Sequence, residues 1–357
     1  MNVSIEYYLT KLFAEITTAI VSVGVLVYCI CWFLPKSVRT PTYKPTLAWF
    51  AAVGTLWVFV LVTLGAFTTS IGAGMAFPDW PLSNGSLNPN GWLTEADKFA
   101  EHSHRLSASV MSTVTIILAV WLWRTETRSW LRRLAWFAVG LVLTQAVVGG
   151  LRVLLDSLQI ETVDTSLGRL FAMLHACLDQ LFVCTLIAVT TACSRPWIEG
   201  RPRGDAGILR RTGLVCCALL FTQLAIAAIM RHSFAGLAIP YFPYATASRE
   251  LLPAAWNFRI GIHFAHRVMA AVLAVALVWF AVRLCTCRAA SLAMRCGASM
   301  LVSLLGLQIL LGAQIIWTSR NQIMTTGHVL VGALTLATTF ALTWLAHRDA
   351  IEAKAAT

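Results

Sequence analysis

Nine long apolar runs, separated by short polar or Pro/Gly-containing stretches, set the pattern of this chain. They cover about 12–34, 47–70, 102–123, 131–151, 171–193, 210–230, 260–283, 294–317 and 323–346. Each approaches the roughly 20 residues that a helix needs to cross a bilayer. None alternates polar and apolar with a period of two, which excludes a transmembrane barrel. The pattern therefore predicts an all-α polytopic membrane protein with nine helices. The first run is preceded by Glu6 and Lys11 and ends in bulky Trp32 and Phe33. It reads as a retained helix, because a cleaved signal needs a basic lead and small residues at its end. Pro35 closes it, and 37–45 forms a linker.

Composition supports the same class. Only 12% of the 357 residues are charged, 58% are hydrophobic, and the mean hydropathy is +0.73; a soluble domain carries about 25% charged residues. The net charge of +11 does not point to nucleic acid, since no basic patch is interleaved with aromatics. It follows the membrane pattern instead: 17 of the 27 Lys and Arg fall in the connections on one side of the nine runs. That side is expected to be cytoplasmic. The reading is a multi-pass protein of the cell (inner) membrane with its N-terminus outside and C-terminus inside. The long loops 71–101 and 231–259 then face outward and hold none of the ten cysteines. The cysteines form no framework, Cys285-x-Cys287 lacks a second pair, and reduced thiols are expected.

The last eight runs repeat. Glu101-His102-Ser103-His104-Arg105 returns as His263-Phe264-Ala265-His266-Arg267, 162 residues later. At the same offset Gly74, Pro78 and Pro81 meet Gly236, Pro240 and Pro243. At 163, Gln145 and Gly149 meet Gln308 and Gly312; at 153, His175 meets His328. Four helices separate the copies, so both halves have the same orientation, related by an axis along the membrane normal. The expected organisation is 1–46 for the extra helix and linker, and two pseudo-symmetric four-helix bundles over 47–200 and 201–357.

Each half contributes two matched histidines, His104 with His175 and His266 with His328, at similar depth toward the outward loops. Ionisable groups inside a membrane are costly and mark function. Histidines on facing helices of a bundle hold cofactors, and two imidazoles on opposite faces of a porphyrin give a six-coordinate haem. A zinc site would want more ligands per half than two imidazoles. A histidine taken alone reads first as a polar group near the interface or one bonded to a backbone carbonyl; the repeat-matched set of four is what favours haem. Glu101, one turn before His104, is either a helix-start charge or an acid, base or proton conduit. His102 points away from His104 and reads as interfacial. His263 reads as a propionate or backbone partner or a spare ligand, and His232 and His347 as solvated. Arg105 and Arg267 reach either lipid phosphate or haem propionates. Gln145 and Gln308 can hydrogen-bond between helices. The loop 75–81, Met-Ala-Phe-Pro-Asp-Trp-Pro, reads as a rigid cap with its Trp in an aromatic belt.

Over about 47–346 these residues resemble the haem A synthase family: Glu-x-x-His-Arg at 101–105, Pro-Asp-Trp-Pro at 78–81, His-Arg at 266–267, and histidines at 175 and 328. The resemblance implies two four-helix bundles and a haem B ligated by His266 and His328. It implies substrate haem O near His104 and His175, with Glu101 needed for turnover. The implied reaction converts the C8 methyl of haem O to a formyl group by successive hydroxylation and loss of water, for cytochrome oxidase biogenesis. The implied partners are haem O itself, a membrane electron donor and haem O synthase, the protohaem farnesyltransferase; a homo-oligomer is compatible with it. Two departures stand out. No cysteine pair lies in 71–101, and the helix at 12–34 is additional to the eight-helix core. The competing reading is a di-haem electron carrier of the cytochrome b type, which would use the same four histidines and need no Glu101.

Overall fold

The eight apolar runs from residue 47 onward all form long helices, each longer than its hydropathy alone indicates. In the computed structural model, residues 42–161, 165–200, 204 and 206–356 are described, together with 25, 27 and 29. The predicted helix over 12–34 and its linker lie outside the described residues apart from those three positions and the linker's last residues, 42–45. The helices are α1 (Pro45–Ser70), α2 (Ala96–Thr125), α3 (Ser129–Leu154), α4 (Leu167–Cys193), the short α5 (Arg195–Ile198), α6 (Gly207–His232), α7 (Phe258–Thr286), α8 (Leu292–Trp317) and α9 (Gln322–Ala356). All but α5 are long and apolar enough to cross a membrane, and the chain is a multi-pass membrane protein. Pro45 opens α1. Side chains of Ser166, Asn257 and Ser291 cap α4, α7 and α8 by accepting the N–H of Arg169, Ile260 and Met294, as N-caps of these types do. The start of α2 at Ala96, six residues before its apolar run, escapes hydropathy because its first turn carries Asp97 and Lys98. Among the described residues the only sheet is the two-residue pair β1 (Gln159–Ile160) and β2 (Thr165–Ser166), between α3 and α4.

Helices α1–α4 pack as a ring, each against the next and α4 back on α1; α6–α9 form a second ring in the same way. The rings meet where α9 packs on α1 and α4, and α4 on α6. The seam maps onto itself when the halves are exchanged, as the repeat requires. Side chains follow the same symmetry. The Thr55 and Thr190 hydroxyls lie 2.7 Å apart between α1 and α4. Their repeat partners Cys217 and Thr343 meet at 3.8 Å between α6 and α9. Across the seam, Arg231 Nη2 donates to Ala66 O and Ser70 Oγ, each at 3.1 Å.

The ends of the helices opposite the long loops are tied by a polar network. Glu126 accepts from the Arg128 backbone N–H (3.0 Å), Nε (3.0 Å) and Nη2 (2.9 Å). Glu352 on α9 accepts from Arg128 Nη1 at 3.3 Å and from Trp197 Nε1 at 2.6 Å. Burial alone would raise the Glu126 carboxyl, but the Arg128 hydrogen bonds and charge, with Lys44 beyond, hold it below its ordinary 4.5. A depressed carboxyl stabilises the fold above its unfolded pKa, and that contribution is lost as pH falls through the folded one. Purified protein in detergent is therefore expected to lose thermal stability as pH drops below about 4.5. Glu126→Gln, lacking the charge-assisted bonds, should be less stable at pH 7 by about 1.5–3 kcal/mol and flatter in the acid range. Thermal melts at several pH values check this; parallel curves for the two proteins would contradict it.

Candidate functional site

Two long loops, 71–95 and 233–257, close one end of the two rings, and each is held by the same device. The chain buries Glu101 on α2, 3% exposed. Its Oε2 accepts the Phe77 N–H at 3.1 Å, and its Oε1 pairs with Arg105. The Arg105 fork continues into the loop, with Nη1 donating to Asp79 O (2.7 Å) and Leu82 O (2.6 Å) and Nη2 to Phe77 O (3.2 Å). In the second ring, His263 Nδ1 accepts the Ile239 N–H at 3.2 Å. Arg267 donates from Nη2 to Ile239 O (2.9 Å) and Tyr241 O (2.7 Å), and from Nη1 to Tyr244 O (3.0 Å). Its Nε lies 3.3 Å from His263 Nε2. Phe77, Asp79 and Leu82 stand 162 residues before Ile239, Tyr241 and Tyr244, so the latch repeats residue for residue, with the same three carbonyls held by the matched arginine. Beyond Glu101 and His263 on their own helices, the partners of both arginines are loop carbonyls, a third possibility beside the lipid phosphate and haem carboxylate weighed from sequence.

The cap over 75–81 is thus fixed at its base. Trp80 lies flat on α3, where a Cβ at Gly150 would sit 2.6 Å from its ring. His102 corrects the interfacial expectation. It is buried, with Nδ1 2.9 Å from Ser83 Oγ and Nε2 3.1 Å from Leu87 O, and its ring packs against Phe77 and Trp92. A polar ring with both nitrogens partnered is an internal strut of the loop. His263 takes its backbone-partner alternative. His232 and His347 are half-buried rather than solvated, and His347 Nδ1 lies 2.8 Å from Thr343 O.

Beneath the loops stand the four remaining histidines. His104 is the ninth residue of α2 and His175 the ninth of α4; His266 is the ninth of α7 and His328 the seventh of α9. Since α2 and α4 are diagonal in the first ring, and α7 and α9 in the second, each ring brings one imidazole from either side at similar depth. Glycines make room for them. A Cβ at Gly65 would lie 2.8 Å from His104 Cε1, one at Gly149 3.2 Å from His175 Cε1, and one at Gly312 3.2 Å from His328 Cε1.

Glutamines position the rings. Gln145 Nε2 donates to His175 O at 3.1 Å. Gln308 O lies 3.2 Å from His328 Nδ1, and its Nε2 lies 3.2 Å from His328 Nε2. Gln223 Nε2 is 3.0 Å from His266 Nδ1 and donates to His266 O at 3.1 Å. Among the described residues the Nδ1 atoms of His104 and His175 are buried without a hydrogen-bond partner, and a buried polar atom calls for one. Paired imidazoles from diagonal helices, three of the four backed by glycine and the first pair short of partners, fit the two faces of a porphyrin. Among the described residues no three His, Cys, Asp or Glu side chains gather.

Sequence reasoning passed over two residues here. Gln223 occupies the position of Leu61 in the repeat, and its only signal is a polar side chain inside an apolar run. Arg152 on α3 donates from Nη1 to Gly74 O at 2.9 Å. A Cβ at Gly74 would fall on its guanidinium, 1.9 Å from Nη2. Its repeat partner is Ile315, so this charge belongs to the first ring alone. An arginine within a spanning helix was the available sign.

Comparison with known proteins gives a consistent picture. The family model COX15-CtaA, described as cytochrome oxidase assembly protein, matches residues 48–340. A protein named heme A synthase from Geobacillus kaustophilus is 28% identical over 246 residues, covering 66% of this chain and 70% of its own. One of the same name from Halalkalibacterium halodurans is 25% identical over 248 residues, 64% of this chain and 74% of its own. Another, from Symbiobacterium thermophilum, is 38% identical over 109 residues, 30% of this chain and 33% of its own.

Proposed function

The chain belongs to the COX15-CtaA family of cytochrome oxidase assembly proteins, and from that premise we propose that it is a haem A synthase, a membrane enzyme acting on haem O. The observation that carries this reading is the repeated pair of diagonal imidazoles with a carboxylate one turn before the histidine in one ring only. His266 and His328 hold haem B in the second ring, 201–357. His104 and His175 take haem O in the first, 47–200. A haem iron between two imidazoles supplies one-electron redox chemistry, tuned by its ligands and their hydrogen bonds. The Gln308 backbone carbonyl beside His328 Nδ1 favours the tautomer protonated there; Nε2, which now faces the Gln308 amide at 3.2 Å, would then ligate the iron once that amide moved aside. In the first ring the reaction is oxidation of the C8 methyl to a formyl group. Glu101 handles protons at the edge of that site, with Arg105 steadying its charge at Oε1. Arg105 and Arg267 act on the haems through the loops they hold. The loop side faces outward, the C-terminus is cytoplasmic, and electrons arrive from a membrane donor. Haem O synthase is the fitting partner on the supply side.

The test is the pigment of the purified protein. Extraction should yield haem B together with haem O or haem A. His266→Ala and His328→Ala should each lower haem B and change its optical spectrum, while leaving the first-ring haem in place. Haem B as the sole pigment, undiminished in both variants, would contradict the assignment and favour an electron carrier.

A further inference from the structure

The two rings differ at a second titratable position that the proposed chemistry does not use. Asp179 stands four residues after His175 on α4, one turn and about 6 Å further from the loops. Residues at i and i+4 share a helix face. At about 100° per residue, Asp179 lies within about 40° of His175 and on the far side from Leu170, Leu174 and Leu181, which are the exposed residues of α4. Its carboxyl therefore turns to the protein interior with the imidazole. It is half-buried. Its one hydrogen bond comes from Gln180 Nε2 at 3.5 Å, the outer limit for such a bond, and no cation pairs with it among the described residues. A carboxyl so placed in a membrane is costly unless something bonds it.

The second ring has nothing equivalent. At the offset relating His175 to His328, Asp179 becomes Gly332 and Gln180 becomes Ala333. The space beside Gly332 belongs to Gln308, whose Nε2 would lie 3.1 Å from an added Cβ. The inner rim of a haem held by His328 thus meets an amide and small apolar residues. The inner rim of one held by His175 meets a carboxyl.

Which rim turns inward follows from charge. The cations whose charge bears on His104, Arg152 and Arg105, bond the loop at Gly74 and Asp79, so porphyrin carboxylates would belong there and the rest of the rim would point toward Asp179. Haem O differs from haem B at that kind of rim position, carrying a hydroxyl on a long alkyl substituent where haem B carries a vinyl group. We propose that Asp179 is a specificity-determining residue of the first ring, its carboxyl bonding the hydroxyl of haem O, and that Gly332 leaves the second ring suited to the vinyl of haem B. This rests on the reading that haem O sits between His104 and His175. Sites built to bond a substrate hydroxyl discriminate strongly against analogues that lack it.

The test loads the full purified chain with equal amounts of haem O and haem B and identifies what each ring takes, with haem B on His266 and His328 as the folding control. Wild type should place haem O in the first ring. Asp179→Leu should lower the preference for haem O over haem B there about 5–100-fold, the cost of leaving a buried hydroxyl without its hydrogen-bond partner, without changing the second-ring spectrum. Should the Leu variant lose all first-ring haem, Asp179→Asn decides, since its amide still reaches the hydroxyl but more weakly; a reduced preference supports the proposal. An undiminished preference in the Asn variant, or in a loaded Leu variant, overturns it while leaving the haem O reading intact. A wild-type first ring whose haem content ignores His175→Ala would overturn both.

Discussion

Replacing Glu101 by Gln is expected to lower haem A formation about 10²–10⁴-fold, the usual cost of removing one positioned acid–base group, while haem B stays in the second ring and haem O accumulates. The structure sharpens the reason. Both carboxylate oxygens face donors, the Phe77 N–H and Arg105. A carboxylate accepts at both oxygens, whereas an amide presents one acceptor and one donor. Gln at 101 must turn its NH2 against one of those donors, and it leaves the largely buried Arg105 without its counter-charge. The loop over the first ring loosens and the proton-handling group disappears together. Changes at His263 should be milder and confined to haem B retention. A neutral imidazole has one acceptor nitrogen, so the second latch is already incomplete, and a neutral replacement removes less. Haem extraction from membranes, with the haem B spectrum as control, measures both. Wild-type haem A formation in Glu101→Gln would reduce the carboxylate to a loop anchor.

Gly65→Leu should have the next largest effect. Even a Cβ at residue 65 would stand 2.8 Å from His104 Cε1, nearer than carbon atoms pack, and a whole isobutyl group must push the imidazole off its line. Overpacking of this kind costs about 1–3 kcal/mol, which corresponds to roughly 5–150-fold in first-ring haem affinity. The repeat aligns Ala227 with Gly65, so the second ring carries a methyl at this position, and Gly65→Ala should weaken first-ring haem less than Gly65→Leu. Second-ring haem B should be unchanged in both variants. Full first-ring haem in Gly65→Leu, titrated optically, would show that His104 is not held against α1 as a ligand.

What the sequence made legible was whatever has a period. Apolar runs located all eight spans, because lipid demands long helices whose backbone bonds are internal; they missed six residues at the start of α2 and ten at the end of α9, where the helices leave the apolar stretch. The offset of 162 found His104 with His266, and a second offset found His175 with His328. The latch was not legible in this way. Arg105 and Arg267 were visible as charges at helix starts, but their targets are backbone carbonyls of Phe77, Asp79, Leu82 and their counterparts, which carry no sequence signature. His102 was misplaced because a helical wheel indicates a direction, not the loop that folds over it. Arg152, Gln223 and Asp179 were passed over for a shared reason: a search for matches discards unmatched residues, and these three are where the halves have diverged.

Haem analysis in a host that makes haem O but no haem A tests the central claim most directly. Membranes carrying the chain should contain haem A at the expense of haem O, and membranes lacking it none. A folded, haem-loaded chain that leaves haem O unconverted, with an electron donor supplied, would contradict the account.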